Sequence, residues 1–251
     1  MLNRIVEYLD YLLRNDEWSA IDASVNGLQV GSGVDVDKVV FAVDAAEQTI
    51  ERAAGMEADL MVVHHGIIWG GLDRITGKVR NHLELLLEND LALYASHLPL
   101  DAHEDVGNNV LLLEELDGEP ESGFGNFGGK EVGYVGELDE PREFDDIVYE
   151  LNSKLNYDST TLRFGDDTVE KVAVMTGSGA DTLPEAARAG ADLFISGEPK
   201  HKAHHEAREL GINAVFAGHY QTETFGVRAL RKVVESKFDV ETEFIHEPTE
   251  V

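Results

Sequence analysis

The sequence predicts an α/β protein made of two similar lobes. Apolar runs of strand length at 39–43, 60–65, 91–95, 172–176, 193–196 and 212–217 alternate with segments of helical periodicity. Residues 38–60 also lie on residues 171–193 without a gap, and both stretches run strand, helix, then Ala-Asp-Leu. In that register His64-His65 falls on Gly197-Glu198, and the next strand brings His97 and Asp101 onto His219 and Glu223. Buried parallel strands deliver functional groups at their carboxyl ends. Two such lobes with facing polar strand ends predict a metal site in the cleft between them. The expected lobes are 1–122 and 123–251, with terminal elements free to cross.

The elements follow in order. Leu2, Ile5, Val6, Leu9, Leu12 and Leu13 stand at helical spacing, an amphipathic opening helix. Asn26-Gly27 is a turn signal before a short strand at 28–30. A strand at 39–43 and a helix at 45–54 lead to Met61-Val62-Val63-His64-His65-Gly66, a buried strand ending in paired histidines. Residues 67–78 are too irregular for core and are expected over the site mouth. A helix at 81–88, a strand at 91–95 and a helix at 108–116 complete the first half. Residues 118–136 hold seven glycines interleaved with Phe124, Phe127 and Tyr134, a loop or hairpin. Helices are expected at 143–155, 183–189, 204–210 and 225–238, and further strands near 162–164 and 241–245. Gly177-Ser178-Gly179 lacks the Lys-Ser/Thr ending of a phosphate loop and reads as a plain strand-to-helix turn.

Composition narrows the function. The 251 residues carry 49 acids against 20 bases, a formal charge of -29, spread along the chain rather than gathered in a tail. Only nine of the bases are Lys, which together with the acidity suggests a halophilic surface. Self-repulsion of that size is tolerable where salt screens it, since the Debye length is about 3 Å at 1 M. Direct nucleic-acid binding is not expected, because no Lys/Arg cluster is present to neutralise phosphates. The absence of Cys excludes disulfides, thiolate catalysis and Cys-ligated metals. With no apolar run of membrane length and no signal-like start, a cytoplasmic protein without membrane contact is expected.

The histidines and carboxylates carry the chemistry. Ser96-His97-Leu98-Pro99-Leu100-Asp101 and Gly218-His219-Tyr220-Gln221-Thr222-Glu223 each follow an apolar run with His and then an acid four residues on. Imidazole and carboxylate suit Zn, Fe, Mn or Co. His64, His65, Asp101, His219 and Glu223 are more ligands than one tetrahedral ion needs, and Asp101 is placed to bridge two ions. Helix capping is the competing reading of Asp101 and Glu223. His97 is expected to orient a neighbour. Glu198 and His201 are expected to carry protons. His204 and His205 read as solvated.

Taken together, Ser24-Val25-Asn26-Gly27-Leu28-Gln29-Val30-Gly31, Val63-His64-His65-Gly66, Ser96-His97-Leu98-Pro99-Leu100-Asp101, Ser196-Gly197-Glu198 with His201, and Gly218-His219-Tyr220-Gln221-Thr222-Glu223-Thr224-Phe225-Gly226 resemble the NIF-three-like family, often labelled GTP cyclohydrolase I type 2 homolog. The resemblance implies two divalent metal ions on His64, His65, Asp101, His219 and Glu223, and a toroidal homohexamer. It also implies a metal-dependent hydrolase that turns water on a nucleotide-like or cyclic amide substrate. The alternative is a metal-bearing oligomeric scaffold or partner-binding protein without robust turnover. Gly66 stands where many family members have Pro, and His-Leu-Pro-Leu-Asp replaces the commoner His-Thr-Asn-Leu-Asp.

Overall fold

The computed structural model describes residues 1–72 and 74–250. Asp73, within the 67–78 segment expected over the site mouth, and Val251 lie outside them. In chain order the elements are α1 (Leu2–Leu13), β1 (Gly27–Val30), β2 (Lys38–Asp44), α2 (Glu47–Gly55), β3 (Leu60–His65), α3 (Gly77–Glu88), β4 (Ala92–Ala95), α4 (Leu98–Asp101) and α5 (Asn108–Glu114). They continue with β5 (Gly118–Phe127), β6 (Lys130–Glu143), α6 (Phe144–Leu155), β7 (Thr160–Leu162), β8 (Thr168–Met175), α7 (Leu183–Arg188) and β9 (Leu193–Ser196). The last are α8 (His201–Leu210), β10 (Asn213–Phe216), α9 (His219–Thr222), α10 (Thr224–Lys237) and β11 (Glu241–Phe244). No helix among the described residues is long and apolar enough to cross a membrane.

The chain divides into two units. The first comprises Met1–Leu100 and Gly226–Glu247, and the second Asp101–Phe225 with the residues from Pro248 onward. The division therefore falls at Leu100, whereas residue 122 lies inside β5, part of the β5–β6 hairpin of the second sheet. In the first unit the sheet runs β1-β4-β3-β2-β11, with β1 antiparallel at one edge and the other strands parallel. Leu60, Met61, Val62, Val63 and His64 are all fully buried, as a strand covered on both faces requires. On one face Val40, Ala42, Met61, Val63, Leu93 and Ala95 pack with Ile50 and Ala53 of α2 and Leu86 of α3.

In the second unit the sheet runs β5-β6-β8-β9-β10-β7, with β8, β9 and β10 parallel and the remaining strands antiparallel. Val172, Val174, Ile195 and Val215 pack with Leu112 and Leu113 of α5 and Ile147 and Leu151 of α6.

The internal repeat reaches further than the sequence alignment. Helix, antiparallel edge strand and three parallel strands recur as α1-β1-β2-α2-β3-α3-β4 and α6-β7-β8-α7-β9-α8-β10. Both opening helices end on a left-handed residue, Arg14 (φ 52°) and Asn156 (φ 50°). The shared Asp of Ala-Asp-Leu has one job in both copies. Asp59 Oδ2 accepts the backbone N–H groups of Asp37 (2.8 Å) and Lys38 (2.9 Å). Asp192 Oδ2 accepts those of Glu170 (3.0 Å) and Lys171 (2.9 Å). A carboxylate just before one strand thus ties it to the preceding parallel strand with charge-assisted bonds.

Among the expected boundaries that shift, three have clear local reasons. The helix expected at 204–210 begins at His201, because Lys200 turns extended after Pro199 and Ala203 already faces the core. The strand expected at 162–164 is Thr160–Leu162. Arg163 leaves it to pair with Asp145 and Asp167, while Asn213 Oδ1 accepts the Phe164 and Gly165 N–H groups. The helix expected from 81 starts at Gly77, whose φ of 55° follows an extended Thr76.

Candidate metal centre

In the first unit the polar residues stand at the carboxyl ends of parallel strands. Asp44 ends β2, His64-His65 ends β3, and His97 follows β4. His64 is fully buried, and its Nδ1 lies 2.9 Å from the Ser96 carbonyl oxygen. A carbonyl only accepts, so Nδ1 carries the proton and the lone pair of the neutral ring is on Nε2. His65 Nδ1 is 2.9 Å from Asp44 Oδ1, and His97 Nδ1 is 2.9 Å from Asp22 Oδ1. The three imidazoles are therefore oriented alike, each through Nδ1 to an oxygen. Their rings stand 4.5 Å (His64–His65), 5.1 Å (His64–His97) and 5.6 Å (His65–His97) apart between centroids. One nitrogen from each lies within 4.8 Å of the others, a group that could hold a metal ion.

Asp22, which sequence reasoning passed over, anchors this group. Its oxygens accept Ser24 N (2.9 Å), Asn26 Nδ2 (2.9 Å), His97 Nδ1 (2.9 Å) and Leu98 N (3.0 Å). Burial alone would raise its pKa, yet the bonds from His97, Asn26 and Ser24 outweigh burial and hold it below the usual carboxylate value. Asp44 was missed as well. The available signal was a carboxylate closing a buried strand beside one that closes with histidines.

Gly66 makes the turn after the histidines possible. A Cβ there would come within 2.4 Å of the Gln29 amide, whose Oε1 accepts Ile67 N (2.8 Å) and Ile68 N (3.2 Å). The missing side chain at Gly66 thus leaves room for the Gln29 amide. Beyond it, Trp69 Nε1 donates to the Gly66 carbonyl (2.9 Å), and its ring lies 5.0 Å from His97 and 6.0 Å from His65. The 67–78 segment does border this group through Trp69.

In the second unit His219 opens α9 and Glu223 follows its last residue. His219 Nδ1 bonds Glu198 Oε1, and its Nε2 stands 3.0 Å from Glu223 Oε2. Burial disfavours the imidazolium, but the two carboxylates outweigh it and push the pKa up to about 9. Glu223 is buried, its Oε2 faces His219, and it is the residue immediately before α10. Gly177 (φ 60°) lets it in, because a Cβ there would lie 2.1 Å from Glu223 Oε1. The Gly177-Ser178-Gly179 turn is therefore a strand-to-helix turn, as expected, and it makes room for a carboxylate. Asp101 is also buried, at the end of α4, and its Oδ1 accepts Asn108 Nδ2 (2.8 Å) and Thr176 Oγ1 (3.3 Å). It does not cap α5, whose N-cap is Gly107.

Glu198 thus meets His219 directly. His201 turns elsewhere, opening α8 with its ring 5.8 Å from that of His205. His97, expected to orient a neighbour, stands among the imidazoles that could bind metal.

The model of the family described as Duf34/NIF3 (NGG1p interacting factor 3) matches residues 1–250. The chain belongs to the DUF34/NIF3 family. A relative from Archaeoglobus fulgidus named GTP cyclohydrolase 1 type 2 homolog is 43% identical over 99% of this chain and 98% of its own length. One of the same name from Halobacterium salinarum is 45% identical over 91% of each chain. The crystal structure of TTHA1606 from Thermus thermophilus superposes with a TM-score of 0.89, at 38% identity over 99% of both chains. This DUF34/NIF3 chain therefore shares its relatives' architecture over essentially its whole length.

Proposed function

We propose that this DUF34/NIF3 chain is a metal-dependent hydrolase of a nucleotide-like or cyclic amide substrate. In this reading two divalent ions (Zn, Fe, Mn or Co) are held by His64, His65, Asp101, His219 and Glu223. The observation that carries it is the uniform use of Nδ1. In His64, His65 and His219 that nitrogen is bonded to an oxygen, which is how imidazoles are set to ligate through Nε2. The donor set fits, being imidazole and carboxylate, with the rings of His64, His65 and His219 each held through Nδ1.

Bound divalent ions would supply Lewis acidity and lower the pKa of a water from 15.7 toward about 7. The side chains do the rest. Ser96 and Asp44 hold the rings of His64 and His65, so little rotamer freedom is lost on binding. Glu198 accepts from His219 Nδ1 and so keeps that ring in one orientation. Asp101 and Glu223 are buried carboxylates, a donor type that divalent cations take. The name carried by the relatives supports a nucleotide as the first substrate to try. We place the protein in the cytoplasm as a homohexamer, following the family resemblance.

Metal content by plasma mass spectrometry, on protein purified in potassium chloride without chelator, tests the reading. About two metals per chain are expected, falling in Asp101→Ala and His219→Ala. Turnover is then screened beginning with GTP, and Glu198→Gln should lower it at saturating metal. A folded wild type that stays empty after reconstitution would sink the ligand assignment. Full metal loading without hydrolysis of any nucleotide or cyclic amide would leave the scaffold reading in its place.

A further inference from the structure

A cavity lies within the second unit, apart from the side chains proposed to hold metal. Leu162, Pro199, Lys200, His201, His204 and His205 line an open cavity of about 500 Å³. That volume falls in the range of small-molecule sites, roughly 300–1,000 Å³. Three of the ten histidines in the chain meet here with a lysine, and no carboxylate belongs to the wall. On a chain of formal charge -29 a lining with a base and three imidazoles is unusual in composition.

The wall is also ordered. The His204 ring stands edge-on to Phe164 at 5.1 Å and to His205 at 5.5 Å, and His205 packs on His201 at 5.8 Å. Asp181 Oδ2 lies 2.6 Å from Lys200 Nζ and its Oδ1 3.1 Å from Lys202 Nζ, while Glu206 Oε1 is 3.4 Å from Lys202 Nζ. These carboxylates tether the lysines from outside the lining. Leu162 and Pro199 add an apolar patch.

We propose that this cavity binds the phosphate-bearing part of a small anionic ligand. Imidazole N–H groups and an ammonium make charge-assisted bonds to phosphate oxygens, and an anion gains from several at once. A metal ion is the poorer occupant. His201 is the first residue of the ten-residue helix α8, where the positive end of the helix dipole repels cations and attracts anions. The cavity opens one residue after Glu198, the carboxylate bonded to His219. Resting on the hydrolase reading, the ligand is that enzyme's substrate, a phosphorylated heterocycle whose phosphate sits against Lys200 and the histidines.

Isothermal titration calorimetry with inorganic pyrophosphate at fixed ionic strength tests this on the full-length, metal-loaded protein. Lys200→Ala and His205→Ala should each weaken binding about tenfold, equivalent to roughly 1.4 kcal/mol. Lys232→Ala, an equal charge change on α10, should leave it unchanged. Metal content and circular dichroism should match wild type in all three variants. Binding should also persist after a chelator removes the metal. Absence of pyrophosphate binding in wild type overturns the proposal, as do cavity variants that bind like wild type. Binding that disappears with the metal while surviving both cavity substitutions would overturn it too. Pyrophosphate binding at the cavity of a protein that takes up no metal would instead sink the hydrolase reading alone.

Discussion

Replacing Asp22 with Ala should damage both stability and metal affinity, although Asp22 is not itself a proposed ligand. Its side chain is 1% exposed, and four donors converge on it. Ser24 and Leu98 are themselves buried, so two backbone N–H groups would lose their acceptor away from water. Each such orphan costs about 1–3 kcal/mol. Asn26 and His97 are half-buried and can turn to solvent, adding less. The sum is a loss of about 3–5 kcal/mol, measured as the shift in urea midpoint multiplied by the m-value. Asp22→Asn keeps one acceptor oxygen and should lose about half as much.

The pH dependence of Asp22 has a definite sign. Its folded pKa lies below the unfolded value, so its contribution is present above that unfolded value and disappears as pH falls through the folded one. Loss of the oxygen that orients a metal-binding imidazole typically weakens affinity about 10- to 100-fold, so if His97 joins the site, competition with a chromophoric chelator should show that drop. An Asp22→Ala protein within about 1 kcal/mol of wild type would refute the reasoning, because the converging donors would then have found other partners.

Three further outcomes are expected. With its pKa raised to about 9, metal-free His219 is protonated at pH 7.5, and metal uptake must expel that proton. Calorimetry in buffers of different ionisation enthalpy should show about one proton fewer released by His219→Ala. In the metal-free protein the stability that this imidazolium contributes is fully present below the unfolded pKa of 6.5 and is lost as pH rises through about 9. Gly177→Ala should displace Glu223 and strain a left-handed backbone, lowering metal content and costing about 1–2 kcal/mol in chemical denaturation. Gly66→Ala should cost about 1–3 kcal/mol by driving the Gln29 amide off the Ile67 and Ile68 N–H groups. In a Gln29→Ala background that penalty should shrink, so an additive double-mutant cycle would contradict the coupling.

Much of the candidate site was legible because its residues sit where chain periodicity stops. A buried strand such as β3 admits no polar group until its end, so His64-His65 stood out against Met61-Val62-Val63. His219 and Glu223 share a helical turn, and i,i+4 spacing is a local property. Their supporting partners were not legible. Asp22 lies 75 residues from His97, Asp44 21 residues from His65, and Ser96 32 residues from His64. No periodicity links such pairs.

The sequence by itself determined the alternation of strand and helix, the repeat marked by Ala-Asp-Leu, and the polar residues at strand ends. These follow from short-range rules, namely side-chain alternation, helical spacing, and the exclusion of polar groups from buried strands. Only the tertiary structure decided that β1 and β7 are equivalent antiparallel edges, that β5 and β6 extend the second sheet, and that α10 and β11 return to the first unit. It also decided that Nδ1 of His64 carries the proton. Edge pairing and tautomer both depend on where distant acceptors come to rest, and that is settled when the sheets assemble.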